Sequence, residues 1–306
     1  MKIYINLVAT VLNCIFYNII CTIKRKLMKK FLGVFDGYKM SKSTLQYSIQ
    51  LASKANAHLV GVFLDEFIYR SYNVYNILKN ADDPFNEIKK LDQQDTLKRD
   101  TAVNIFQRAC GQAKINFSIH RDKSIALQEL KHESMFADLI IINENESFSK
   151  KKEPAPSTFM KDLLGDVQCP VMLVPQAFKP IDSVSLLYDG APSSLHAIKM
   201  FSYVFNNLLD LPVEVFTVKK ERAQGTHLPD NKLMKEFIKR HFPQAKYTIV
   251  TGEPEEQIVA HFQHHKENEL VVLGAYQRSE ISRWFKASMA DILMKETETP
   301  LFIAHN

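Results

Sequence analysis

Phe31-Leu32-Gly33-Val34-Phe35-Asp36-Gly37 returns later in the chain as Val184-Ser185-Leu186-Leu187-Tyr188-Asp189-Gly190. Each stretch is a short apolar strand closed by Asp-Gly. Serines follow (Ser41 and Ser43 in the first copy, Ser193 and Ser194 in the second), and then an amphipathic helix. The echo continues in order: 57–64 with 211–218, 116–120 with 246–250, 137–142 with 268–273, and 169–175 with 299–304. Five strands therefore recur, ten in all. Between them apolar residues fall at helical spacing, as in Leu45, Ile49 and Ala52, or Leu195, Ile198 and Phe205. Residues 87–112 read as one long charged helix with Leu91, Val103 and Phe106 on its apolar stripe. Apolar strands alternating with helices mean parallel strands covered on both faces. With right-handed crossovers they give an α/β fold of two tandem doubly wound five-stranded parallel sheets, Rossmann-like in layering.

The composition agrees. At 306 residues, 46% apolar and 24% charged, the chain has the balance of a folded protein of two domains. Disordered, collagen-like and polytopic membrane classes are excluded. Four cysteines form no C-x-x-C pair, which points to a reducing compartment with Cys110 and Cys169 as packing residues. The first copy extends over 28–176, with an insertion near 66–90, and the second over 181–306. The join lies near Pro175 and Pro180.

Residues 1–27 form an apolar leader. Of the 21 residues in 3–23, 16 are apolar, enough to span a bilayer, although Asn6, Asn13 and Asn18 interrupt the run. One reading is a membrane anchor; the basic residues that follow it (Lys24, Arg25, Lys26, Lys29, Lys30) would hold the bulk of the chain in the cytoplasm, at the inner membrane. The other is an upstream mis-start, with Met28 as the natural beginning. The net charge is +5, and the leader holds Lys2, Lys24, Arg25 and Lys26 and no acid, which leaves about +1 for the rest. The basic balance therefore gives no support for a nucleic-acid partner.

The duplicated pattern of strand, Asp-Gly, serine and helix, with a Pro-led apolar strand at the end of each copy, resembles the universal stress protein family in its tandem form. The resemblance covers 28–306. It implies strand order 3-2-1-4-5, two domains packed as a pseudo-dimer, a cytoplasmic stress-response role and, in many members, ATP bound at the carboxyl ends of strands 1 and 4. Nucleotide-binding members carry G-x2-G-x9-G-[ST] after strand 4, where glycines admit the phosphates and a helix N-terminus supplies amide donors. In the second copy this stretch keeps Gly274 and Ser288, but Gln277 and Ala287 replace two glycines. Arg278, Arg283 and Lys286 crowd the loop and suit phosphate. Asp189 matches the strand-1 acid that faces the base. The candidate nucleotide-binding set is Asp189, Gly274, Arg278 and Ser288. Asp189 also reads simply as a turn residue, and Ser288 as a helix cap.

The loop of the first copy has no glycine. Glu144 and Glu146 lie where phosphate would lie, and only Thr158 remains of the motif, itself reading as a cap. A nucleotide is not expected there. His261, His264 and His265 share one helix, opening at Pro254, at a spacing that can bind Zn²⁺; a polar helix face is the commoner reading, and no metal site is expected. Lys150, Lys151 and Lys152 read as a solvated loop. No P-loop, G-x-S-x-G or H-E-x-x-H is present. The insertion is aromatic-rich through 67–78 (Phe67, Tyr69, Tyr72, Tyr75, Ile77, Leu78), either a lid over the sheet edge or a surface for a protein partner. The leading expectation is a non-enzymatic stress-response protein working through partner or small-ligand binding, with a degenerate nucleotide site in the second copy and none in the first. The alternatives are an adenine-nucleotide sensor with slow ATP hydrolysis and a membrane-tethered regulator.

Overall fold

The computed structural model describes residues 28–64, 72–122, 126–148, 153–205, 210–220, 227–264, 268–274 and 289–304. All ten strands expected from the repeat are present. In the first half they are β1 (Lys30–Asp36), β2 (His58–Leu64), β3 (Phe117–Asp122), β4 (Leu139–Asn143) and β5 (Val171–Val174). In the second half they are β6 (Ser183–Leu187), β7 (Val213–Lys219), β8 (Lys246–Thr251), β9 (Glu269–Gly274) and β10 (Leu301–Ala304). The described helices of the first half are α1 (Lys42–Ala55), α2 (Val74–Asn80), α3 (Pro84–Gln112), α4 (Ala126–Ser134) and α5 (Thr158–Asp166). Those of the second are α6 (Pro192–Val204), α7 (Asn231–His241), α8 (Pro254–His264) and α9 (Met289–Glu296).

Within each half the strands pair in parallel in the order 3-2-1-4-5. The two sheets are not separate. β5 and β10, the last strand of each half, pair antiparallel through Leu173 with Leu301, Met172 with Phe302 and Val171 with Ile303, and a single ten-stranded sheet results. The physical reason is in the strands themselves. β5 (VMLV) and β10 (LFIA) are wholly buried and carry no charge to blunt an open edge, so each satisfies the other's unpaired N–H and C=O groups.

Alternation along each strand divides the core. Phe31 and Phe35 face one side of the sheet, with α1, α3, α6 and α7; Leu32 and Val34 face the other, with α4, α5, α8 and α9. The first of these layers runs without a break between the halves. Phe205, which follows α6, sits 5.8 Å from Phe31 of β1 and 6.1 Å from Phe302 of β10, and Phe201 of α6 sits 5.3 Å from Phe302. The connection between the halves is pinned as well. Asn268 donates from Nδ2 to the carbonyls of Lys179 (2.8 Å) and Pro180 (3.0 Å) and to the Tyr47 hydroxyl (3.3 Å).

Local chemistry adjusts three expectations. The long helix α3 starts at Pro84, ahead of Glu87, because Asp83 caps it: its Oδ1 accepts from the Asn86 amide at 3.2 Å, and proline suits the first helical position. The cap of α5 is Ser157, not Thr158. Ser157 has extended backbone and its Oγ accepts from the Met160 amide at 3.1 Å, which leaves Thr158 as the first helical residue. The part of the aromatic insertion within the described residues, α2, is no lid on the sheet. It packs against α3, with Tyr72 donating to Asp92 at 2.6 Å, and buries none of its own residues. Phe67 and Tyr69 lie outside the described residues, as does the apolar run 3–23. Among the described residues no helix is long and apolar enough to cross a membrane.

Phe302 is fully buried at the joint between the halves, with aromatic neighbours on two sides. Phe302→Ala removes those contacts and leaves a cavity, so urea unfolding should show a loss of about 3–5 kcal/mol. The transition should remain single, because the layer it disrupts belongs to both halves.

Candidate functional site

The chain leaves β1 for β2 on one side and returns as β4 on the other, so the carboxyl ends of β1 and β4 diverge. Such a switch point is where ligands enter open α/β sheets. In the first half a cavity of about 460 Å³ opens there, between the start of α1 and the ends of β1 and β4. Its chemistry comes from Asp36, Lys39, Lys42, Asn143, Asn145 and Glu146.

Each wall has a local origin. Asp36 ends β1 and its Oδ1 accepts from the Tyr38 amide at 2.8 Å. Ser41 caps α1, accepting from the Thr44 amide at 3.1 Å. Asn143 ends β4, donating to the Val174 carbonyl at 3.3 Å and accepting from the Asn145 amide at 3.0 Å. Glu146 accepts from the amides of Ser147 (3.1 Å) and Phe148 (3.3 Å), and this carboxylate-capped turn holds Phe148 at φ +45°. Burial, and then the charge of Asp36, push Glu146 up to about 7; the two amides and Lys39 act in the opposite sense and do not prevail. Burial, with a contribution from Glu298, pushes Glu144 up to about 8. Glu146, which lines this cavity, thus resists the negative charge that Asp36 already brings.

The second half differs. Asp189 Oδ1 accepts from the Ala191 amide (2.9 Å) and the Ser194 hydroxyl (2.7 Å), the part of a turn residue opening α6. Gly190 follows at φ +89°, a conformation glycine adopts readily, and a Cβ there would lie 2.7 Å from Pro229. Gly274 ends β9 beside β6. A Cβ on Gly274 would lie 2.5 Å from the backbone carbonyl of Ser193 and 2.8 Å from the Ser194 amide. Its missing side chain therefore lets α6 press against β9. Gln277, Arg278, Arg283, Lys286, Ala287 and Ser288 lie outside the described residues. Of the candidate nucleotide set, then, Asp189 and Gly274 stand near each other at the ends of paired strands, each with a packing or capping role of its own.

Cys110 and Cys169 are both buried, which pushes each thiol up to about 12 and away from the reactive thiolate. His261 is carried by α8 and its ring lies 4.3 Å from that of Phe216 on β7. His265 is outside the described residues. Sequence reading missed the cavity of the first half as a candidate site, because it tested that loop against a phosphate motif. Asp36 at a strand end, with a lysine pair just after it, was the available signal.

No protein-family model matches the chain, and no curated protein matches it. Solved structures do. A universal stress protein from Archaeoglobus fulgidus aligns with a TM-score of 0.64 at 15% identity, over 90% of this chain and 98% of that one. A protein of unknown function from Pseudomonas aeruginosa aligns with a TM-score of 0.54 at 12% identity, over 91% and 93%. The fold is therefore that of a universal stress protein, matched over nearly the full length of the solved chain and nine-tenths of this one.

Two outcomes follow. The unfolded chain ionises Glu144 and Glu146 near pH 4.5, while the folded chain keeps their protons up to about 8 and 7, so stability falls as pH rises through that window. Glu144→Gln and Glu146→Gln should each raise the thermal midpoint at pH 9, with the gain vanishing toward pH 4. Gly274→Ala should lower stability by about 1–3 kcal/mol, as overpacking does, with or without nucleotide present. Melting curves for the three variants across pH check both.

Proposed function

We propose that this protein is a non-enzymatic, cytoplasmic stress-response protein of the universal stress type, acting through small-ligand or partner binding. Its ligand site is the first-half cavity, and the nucleotide site of its second half is degenerate. The observation that carries this reading is the acidic floor formed by Asp36 and Glu146 at the switch point. Burial and Asp36 already raise Glu146 against the pull of Lys39, so a triphosphate would add charge where charge is disfavoured. A small ligand offering hydrogen-bond donors or a positive charge suits the same walls. The exposed Tyr75, Leu78 and Phe85 supply an apolar surface for a protein partner. A membrane-tethered form turns on residues 3–23 alone.

A second reading is supported by the placement of Asp189 and Gly274 at the ends of the paired strands β6 and β9. In that reading an adenine nucleotide such as ATP binds the second half, with Arg278 and Ser288 completing the site, and slow hydrolysis follows. Calorimetric titration of the full chain with ATP and AMP separates the two. The first reading expects dissociation constants no tighter than about 1 mM, or about −4 kcal/mol. Tighter saturable ATP binding that Asp189→Asn weakens and Asp36→Asn leaves intact would overturn it in favour of the sensor.

A further inference from the structure

We propose that Glu214, His261 and Glu269 form a binding site for a zinc-class divalent cation on the covered face of the second half. The three residues come from separate elements, β7, α8 and β9, and one ligating atom from each lies within 4.8 Å of the other two. His261 Nε2 stands 3.6 Å from Glu214 Oε2.

The sheet register explains the convergence. Ser185 of β6 lies opposite Glu214, and Ser183 lies opposite Glu269. Residues paired across parallel strands, and residues two apart along one strand, share a face. Ser183, Ser185, Glu214 and Glu269 therefore all point the same way, beneath α8, which brings His261 down onto them. Glu269 is only 4% exposed. The Ser185 hydroxyl donates to Glu269 Oε1, the kind of outer hydrogen bond that orients a ligating carboxylate.

The corresponding place in the first half is built from different side chains. There Glu133 of α4 bridges Lys30 Nζ (3.4 Å) and His120 Nδ1 (2.7 Å), one carboxylate facing an ammonium and an imidazole. In the repeat the position of Lys30 is taken by Ser183. The cluster of the second half gathers two carboxylates around one imidazole. A divalent cation balances two carboxylates and leaves the imidazole neutral, as a ligand must be. Zinc bonds of about 2.0–2.2 Å to nitrogen and oxygen place ligand atoms about 3.3 Å apart, so the cluster closes on an ion with side-chain shifts of about 1 Å. A mixed nitrogen and oxygen set favours zinc over calcium or magnesium. The fourth position stays open to water or an anion.

The test uses the untagged full chain, stripped with chelator and titrated with Zn²⁺ and Co²⁺, with bound metal counted by mass spectrometry and Co²⁺ coordination read by visible absorption. One equivalent of Zn²⁺ should bind and raise the thermal midpoint, while Mg²⁺ leaves it unchanged. His261→Ala and Glu269→Gln should each weaken Zn²⁺ at least tenfold with circular dichroism preserved. The double variant His264→Ala, His265→Ala should retain the ion. Absence of a tight equivalent in the wild-type chain would overturn the proposal, whatever the variants do. So would retention of the ion by both His261→Ala and Glu269→Gln, or its loss in the His264/His265 double variant alone.

Discussion

Everything in this molecule hangs on two short apolar edge strands meeting. β5 and β10 pair through only three residues a side, yet that pairing turns two five-stranded sheets into one of ten strands. Alone, each edge would present unpaired amides and carbonyls along a fully apolar strand, a template for aggregation. Paired, both edges vanish and the helices that flank the joint are brought within reach of each other. Phe31, Phe201, Phe205 and Phe302 then fill the layer between α6 and the sheet, where aromatic rings at 5–6 Å add to the area they bury. The open edges that remain are β3 and β8, whose residues are partly exposed and include Ser118, His120, Lys246 and Thr248.

Most of this fold was legible in the sequence because parallel strands covered on both faces must be continuously apolar. Leu139 through Ile142 and Leu270 through Leu273 read as interior strands for that reason, and a duplicated order of five such strands left little topological choice. The joint was less legible. Hydrophobic periodicity describes the faces of a strand and not its edges, so β5 reads the same whether its outer edge is open or paired. The informative signal was the lack of any Lys, Glu or Pro within β5 and β10. The candidate site was legible only in part. Gly274 was read by its place in a phosphate motif, but its neighbours show another reason for glycine, the close approach of the Ser193 backbone. The Glu214, His261 and Glu269 cluster was invisible to any reading along one helix. The sequence brings His261 together with His264 and His265, whereas the sheet register brings it together with two glutamates from distant strands.

The two halves also show how a duplicated unit can diverge while its scaffold stays fixed. Aligned copy on copy, Asn143 of β4 occupies the place of Gly274 of β9, and both stand at the end of the strand beside the first. Where the residue is glycine, the start of α6 presses onto the end of β9, and a side chain there would meet the Ser193 and Ser194 backbone. Where it is asparagine, a side chain must be housed, and the start of α1 and the end of β4 border a cavity of about 460 Å³ instead. The residue at this strand end thus sets how closely the helix after the first strand can approach it. The exchange of Lys30 for Ser183 acts in the same way on the opposite face. It puts a short hydroxyl where the first half has an ammonium, beside Glu269 in the paired strand. Neither exchange touches the joint, so the shared sheet stays fixed while the two halves diverge around it.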